Sequence, residues 1–311
     1  MKIGIGLVGL VLGSALMVGC STAAVRDVDA GHSMRDQARG VTILRGDGSG
    51  SASWDEVVAD MASADVVLFG EMHGHPLGLA VAQELWEDIL IDQPDAVLSM
   101  EFYERDQQIA LDDYLNGVTD REKFEKAAKR NKGNNAPGHA RMIDAAKEAG
   151  RPVIGANSPR RYVSIARKQG FDVLEKITGE SRKMFEIPIG EREGGYKDRF
   201  MELMSGMGDH SGEEIAAGFF RSQSVWDATM GDSVVDGLAY GSPVAHVVGY
   251  FHVQYGFEKG GSGLIDAIRV RSDRELKIVT IIQMARDAQD ELDEEDEGIA
   301  EYVVYVGGEH E

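Results

Sequence analysis

Apolar positions along this chain fall into two alternating patterns. Short runs rich in β-branched residues occur at Val66–Phe69, Ala96–Phe102, Pro152–Ala156, Val244–Tyr250, Ile278–Met284 and Tyr302–Val306. Their length, and the Gly or polar residues that bound them, are those of strands buried on both faces. Between them, apolar residues recur at helical spacing. Leu77, Val81, Leu85 and Ile89 predict a helix over Leu77–Leu90, and further helices are expected near Gln107–Leu115, Asp120–Asn131, His139–Ala149 and Tyr196–Met204. A long helix over about Gly212–Ala239 is softly interrupted by Gly218 and Gly231. Ser53-Trp54-Asp55-Glu56 reads as a capping box ahead of another. Repeated strand–helix alternation predicts an α/β fold: a mostly parallel sheet with helices on both faces. The last two strands are expected to form a C-terminal hairpin whose loop carries the acidic run Asp290–Glu297.

Two of the strands end in the same word. Val66–His73 reads VVLFGEMH and Ala245–His252 reads AHVVGYFH, each closing on Gly-x-x-His. A Gly there permits a tight turn, so the following side chains can face the crevice beyond the carboxyl ends of the strands, where open α/β sheets bind ligands. His73 and His252 are therefore expected to converge. Glu71, Glu101 and Asn157 stand at neighbouring strand ends, and His75 lies just beyond His73 with no clear direction. Two carboxylates, an amide and two imidazoles at one edge can perform acid–base chemistry or hold a divalent metal, with His73 and His252 as its ligands. For any one of these residues a helix cap or a satisfied polar group is the better explanation. Four strand ends together favour a site. On the long helix, Gln223, Asp227 and Met230 share a face, from which the two polar groups can bond the strand-end histidines from behind. A solvent-exposed face fits that pattern equally well. His210, in the preceding loop, carries no signal by itself.

The N-terminus changes the picture of where the protein sits. Lys2, the apolar stretch Ile3–Val18 and Gly19-Cys20 have the form of a lipoprotein signal, too short for a spanning helix. Residues 1–19 are expected to be removed. Cys20, the one cysteine of the chain, would carry the lipid, palmitate included, that anchors the protein in the cell envelope. Ser21 after it favours the outer membrane in a Gram-negative host. The G-x-G-x-x-G at Gly4–Gly9 lies inside this signal, without a preceding strand, and is discarded. Residues 20–52, polar and ending in GDGSGSAS, read as a flexible tether, and residues 53–311 as one α/β domain. A net charge of −21 argues against nucleic acid as a partner. The acidic run is read as a solvated loop rather than a calcium site. No G-x-S-x-G, G-x-x-x-x-G-K-[ST] or H-E-x-x-H word occurs.

The words LFGEMH at Leu68–His73, MEFYERDQQ at Met100–Gln108, ANSPR at Ala156–Arg160, RSQSVWDATM at Arg221–Met230 and GYFHVQYGF at Gly249–Phe257 stand in a familiar order. By them the chain resembles the ChaN-type haem-binding lipoproteins, within a superfamily shared with erythromycin esterases and TIKI/TraB-type proteins. The resemblance implies an α/β domain with a ligand site at the strand ends and a role in haem or iron uptake. It carries over Glu71, His73, Glu101, His210, Gln223, Asp227 and His252 as motif residues. Gly78 departs from it, standing near where members often have another His.

Two functions compete. A haem-binding protein needs an apolar cleft, an axial His or Tyr and a cation for the propionates. Tyr103, Tyr250 and Tyr255 are candidate haem contacts, and Arg105 and Arg160 candidate cations. A hydrolase, metal-dependent or not, would use Glu71, His73, Glu101 and His252 as its catalytic set. The haem-binding reading is preferred, with the envelope membrane and a second copy of the chain as further candidate partners.

Overall fold

Backbone groups buried on both sides of a strand must be paired within a sheet, and the predicted apolar runs do so. A computed structural model describes residues 34–131, 134–190, 195–205, 212–255 and 261–308. Its strands are β1 (Ile43–Arg45), β2 (Ser51–Ala52), β3 (Val66–Glu71), β4 (Val97–Glu104), β5 (Val153–Asn157), β6 (Val244–Gly249), β7 (Ile278–Met284) and β8 (Tyr302–Tyr305). They form one sheet in the order β2-β1-β8-β7-β3-β6-β4-β5. All pairings from β8 to β5 are parallel, while β1 runs antiparallel to β2 and β8. β3 and β6 are central and buried at every position.

The helices are α1 (residues 34–39), α2 (Trp54–Ala62), α3 (Pro76–Asp92), α4 (Gln108–Leu115), α5 (Arg121–Ala127), α6 (Pro137–Glu148), α7 (Arg160–Gln169), α8 (Phe171–Leu174), α9 (Gly195–Ser205), α10 (Glu213–Gly237), α11 (Tyr250–Val253) and α12 (Gly263–Arg269). Strand alternation divides the core between them. Val67, Phe69, Leu98, Met100, Ala245 and Val247 pack on the face covered by α2, α3 and α6, around Trp86 and Met142. Val66, Leu68, Val97, Val244 and Val248 pack on the other face, against Met230 and Val234 of α10 and Leu264 and Ile268 of α12. Gly231 does not break α10. It lets α12 close in, since a methyl there would sit 2.7 Å from the Ala267 Cβ.

Two expectations need correction. Residues 34–52 are not tether. Arg35 and Arg39 clamp α1 to α3, through Glu84 and Glu87 and through Glu84 and Asp88 respectively. Ile43 and Leu44 are buried in the sheet. Polar composition around a three-residue strand hides such an element. β7 and β8 are also no hairpin: they are parallel, and the acidic run is a crossover between them. That crossover is tied down by Arg286, which bonds Asp293, Glu295 and Asp296, and by the Tyr305 hydroxyl, which donates to the buried Asp296 at 2.9 Å.

An edge strand exposes unpaired backbone groups, and β5 has a built-in cover. The Gln108 side chain donates to the Val153 carbonyl (2.8 Å) and accepts from Gly155 N (2.8 Å), as a further strand would. Gln108→Leu leaves both groups unpaired and is expected to cost about 1–3 kcal/mol. The measurement is the urea midpoint at unchanged m-value; an unmoved midpoint would show that water replaces the amide.

Candidate active site

Parallel strands deliver the Gly-x-x-His words to one edge of the sheet, with Glu71 in register with Gly249. By alternation, Glu71 follows Val67 and Phe69 onto the α6 side of the sheet. Glu101 follows Val97 and Ser99 onto the α10 side. The site therefore straddles the edge and draws one carboxylate from each layer.

On the α6 side the Glu71 carboxylate is fully buried between two imidazoles. Its Oε1 lies 3.1 Å from His73 Nδ1 and its Oε2 2.6 Å from His139 Nε2. Burial works against ionising Glu71, but the hydrogen bonds from His139 and His73 outweigh it and hold the carboxyl below its ordinary range. The bond to Glu71 raises His73 above its usual value; burial opposes this and the Glu101 charge adds to it. The His73 side chain is 61 % exposed. Phe102 stacks on His139 (centroids 3.9 Å apart) and meets the His73 ring edge-on at 5.5 Å.

Across the edge, His252 Nδ1 is 2.5 Å from Asp227 Oδ1, and the other Asp227 oxygen accepts from the Tyr196 hydroxyl at 2.7 Å. Gln223 Nε2 lies 3.1 and 3.2 Å from the two His252 ring nitrogens and donates to the Tyr196 hydroxyl at 3.0 Å. Gly249 joins the two halves. Its N–H donates to Glu101 Oε2 (2.8 Å), while Glu101 Oε1 stands 3.7 Å from His252 Nε2. The His73 ring rests on Gly249, where a methyl would come within 2.8 Å of His73 Nε2. Any side chain at position 249 would displace that ring.

Glu71, His73, Glu101, Gln223, Asp227 and His252 are thus brought together. His210 lies outside the described residues, as does Cys20. The three tyrosines are not gathered at the cluster. A bulge in β4 between Met100 and Glu104 breaks the alternation and turns Tyr103 into the core. There it is fully buried under the Arg130 guanidinium, and burial pushes its phenol up to about 12. Tyr255 lines a separate hollow with Arg45, Glu301 and Tyr302, its phenol also raised to about 12 by burial. Tyr250 is half-buried against the α10–α12 core. Arg105 is spent on the scaffold, bonding Asp232, Ser233 and the Thr229 carbonyl of α10. Arg160 is exposed at the start of α7. His75 is buried and caps α3, accepting from Gly78 N. Among the described residues no three His, Cys, Asp or Glu side chains are arranged to hold a metal ion. The carboxylates that would serve His73 and His252 as co-ligands are engaged with the imidazoles themselves.

The sequence reading missed His139 and Tyr196. Both carried a usable signal: each lies on an apolar helical stripe, with Met142, Ile143 and Ala146 or with Phe200 and Met204. A polar group on a buried stripe needs a buried partner. His246 was missed as well. It is fully buried on β6, with Nδ1 2.9 Å from the Ser99 hydroxyl. The dyads offer an exposed imidazole backed by a buried carboxylate, and a second, buried imidazole bonded to buried Asp227 with half-buried Glu101 nearby. Such a set can move protons or present a lone pair to a ligand.

The family model described as "Haem-binding uptake, Tiki superfamily, ChaN" matches residues 57–264. No curated protein matches the chain in sequence. The fold is similar to a structure described as cofacial heme binding to ChaN of Campylobacter jejuni, at 16 % identity and TM-score 0.62, covering 85 % of this chain and 96 % of that one. Looser likenesses are an erythromycin esterase in its open conformation (11 % identity, TM-score 0.46, covering 85 % and 82 %) and the type III effector HopBA1 (14 %, 0.45, 88 % and 99 %).

Burial drives His246 from 6.5 down to about 3, so it stays neutral in the fold. A group depressed in this way leaves stability intact above its unfolded value and erodes it as pH falls through the folded one. The urea midpoint should therefore drop between pH 6.5 and about 3. The drop should be shallower in His246→Gln, and equal slopes would show that His246 takes up no proton on unfolding.

Proposed function

We propose, from the premise that this chain belongs to the ChaN haem-binding uptake family of the Tiki superfamily, that it binds haem at the carboxyl edge of its sheet, with His73 as the residue facing the iron. The observation that carries this reading is the His73 imidazole, exposed on one side and held through Nδ1 by the buried Glu71. A carboxylate on the far nitrogen fixes the ring and strengthens the nitrogen left for a metal. Haem iron accepts such an axial imidazole. Phe102 beside His73, and the half-buried Phe251 beyond His252, give the apolar wall a porphyrin needs. Arg160 supplies a cation for the propionates.

In this reading the protein serves haem or iron uptake at the cell envelope. Lipid on Cys20 anchors it, in the outer membrane if the host is Gram-negative. The exposed His73, backed by the buried Glu71, also favours a second reading, a hydrolase in which His73 is the general base and Glu101 and His252 assist.

Hemin added to the protein is expected to give a Soret band that His73→Ala abolishes and Tyr255→Phe keeps. A band that survives His73→Ala and disappears in Tyr250→Phe moves the ligand to Tyr250 and refutes the assignment. Ester turnover lost in His73→Ala, with no hemin binding by wild type, would favour the hydrolase. Light scattering of the hemin complex reads whether one copy or a pair holds the haem. For the anchor, Cys20→Ala should release the protein from the membrane fraction; continued fractionation with lipid would defeat the lipoprotein reading.

A further inference from the structure

The Glu71 carboxylate serves two imidazoles, and the proposed function uses one of them. His139, on the first turn of α6, is 2 % exposed, and its Nε2 stands 2.6 Å from Glu71 Oε2. This is the shorter of the two bonds to that carboxylate; His73 Nδ1 lies at 3.1 Å from the other oxygen. The far nitrogen of His139, Nδ1, is buried and makes no hydrogen bond among the described residues. The tautomer those surroundings accommodate carries its proton on Nε2, pointed at Glu71. Phe102 stacks on the ring and keeps it from turning.

A carboxylate held at one oxygen cannot rotate, and its second oxygen is then fixed in place. We propose that His139 is the positioning residue of this site: by holding Glu71 it sets His73 in the tautomer with the proton on Nδ1 and the lone pair of Nε2 free. Unsupported imidazoles favour a proton on Nε2, which would block a metal or an incoming proton at that nitrogen. The link to Glu71 reverses the choice. The bland alternative is that Glu71 exists to satisfy a core histidine and that His73 merely brushes past it. The two accounts differ at His73, which His139 reaches through Glu71.

The positioning claim concerns the unliganded protein; its consequence for haem rests on the haem reading above. The test is the nitrogen-15 spectrum of the imidazoles in the full-length protein without hemin, followed by hemin titration. In wild type His73 should show the Nδ1–H tautomer. His139→Phe keeps the ring stack but removes the donor, and should shift His73 toward the Nε2–H form. His139→Gln, which can still donate to Glu71, should restore the wild-type pattern. Hemin affinity should fall about 10–100-fold in His139→Phe, the usual loss when a group behind a metal ligand is removed, and recover in His139→Gln. If His139→Phe does not fold, His139→Gln against Glu71→Gln decides: the first should keep the tautomer and the second invert it. An unchanged His73 spectrum in folded His139→Phe, or in Glu71→Gln, overturns the proposal. Wild type that shows the tautomer but takes no hemin would refute the haem reading and leave the positioning role standing.

Discussion

Parallel pairing of β3, β6 and β4 is the constraint on which the site depends. Strands that run the same way end at the same edge, so Glu71, Glu101 and the turn at Gly249 meet although the chain separates them widely. The pleat then decides direction. Because side chains alternate between faces, Glu71 and Glu101 leave the sheet on opposite sides, one toward α6 and one toward α10. Each helical layer answers with a histidine partner or a bracing acid. The backbone of Gly249, with no side chain of its own, is the point where the two halves touch.

Energetics explain why the acids are so fully partnered. A carboxylate with no exposed surface must be paired or hydrogen-bonded, or it will take up a proton. Glu71 and Asp227 are both fully buried, and each is bonded by side chains of the site: His73 and His139 for the first, His252 and Tyr196 among those for the second. None of these four side chains is an Arg or Lys. Two arginines of the family words go to the scaffold instead, Arg105 to α10 and Arg221 to the last carbonyls of α7. An imidazole partner can both donate and accept a proton, which a guanidinium clamp cannot.

How much of this was legible follows from which rules are local. Buried β-branched runs mark β3 and β6, and strand polarity places Glu71, His73, Glu101 and His252 together without any further information. Helical spacing puts Gln223 and Asp227 on one face of α10, but it fits a solvent-exposed face equally well, and the docking of α10 is what turns them to His252. Tyr103 fails for a local reason of the opposite kind, since the β4 bulge reverses its side and no residue in EFYER announces it. His139 lies beyond strand logic altogether. Its tie to Glu71 arises from how α6 docks across the sheet, and only the apolar stripe around it hinted at a buried partner. The β1 and β2 strands are invisible because edge elements of two or three residues carry too few side chains to set a period. The β7–β8 crossover was misjudged because proximity in sequence suggests a hairpin, whereas its length also permits a parallel return.

Fold alone does not choose between a haem carrier and a hydrolase; the haem reading proposed above leans on the exposure of the site. His139, His246 and His252 are buried, and among the described residues of the cluster His73 is the imidazole that reaches solvent. A general-base hydrolase needs a second group to protonate the leaving atom, within reach of the same substrate face. Glu101 is a candidate for it, with its side chain 15 % exposed and one oxygen already bonded to Gly249 N. Axial ligation asks for less: one oriented lone pair and a flat apolar wall. In the haem reading proposed above these fall to His73, held through Nδ1 by a carboxylate, and to Phe102 at its edge. On that reading, one imidazole forward with its partners held back serves as a ligand post more readily than as an acid–base pair.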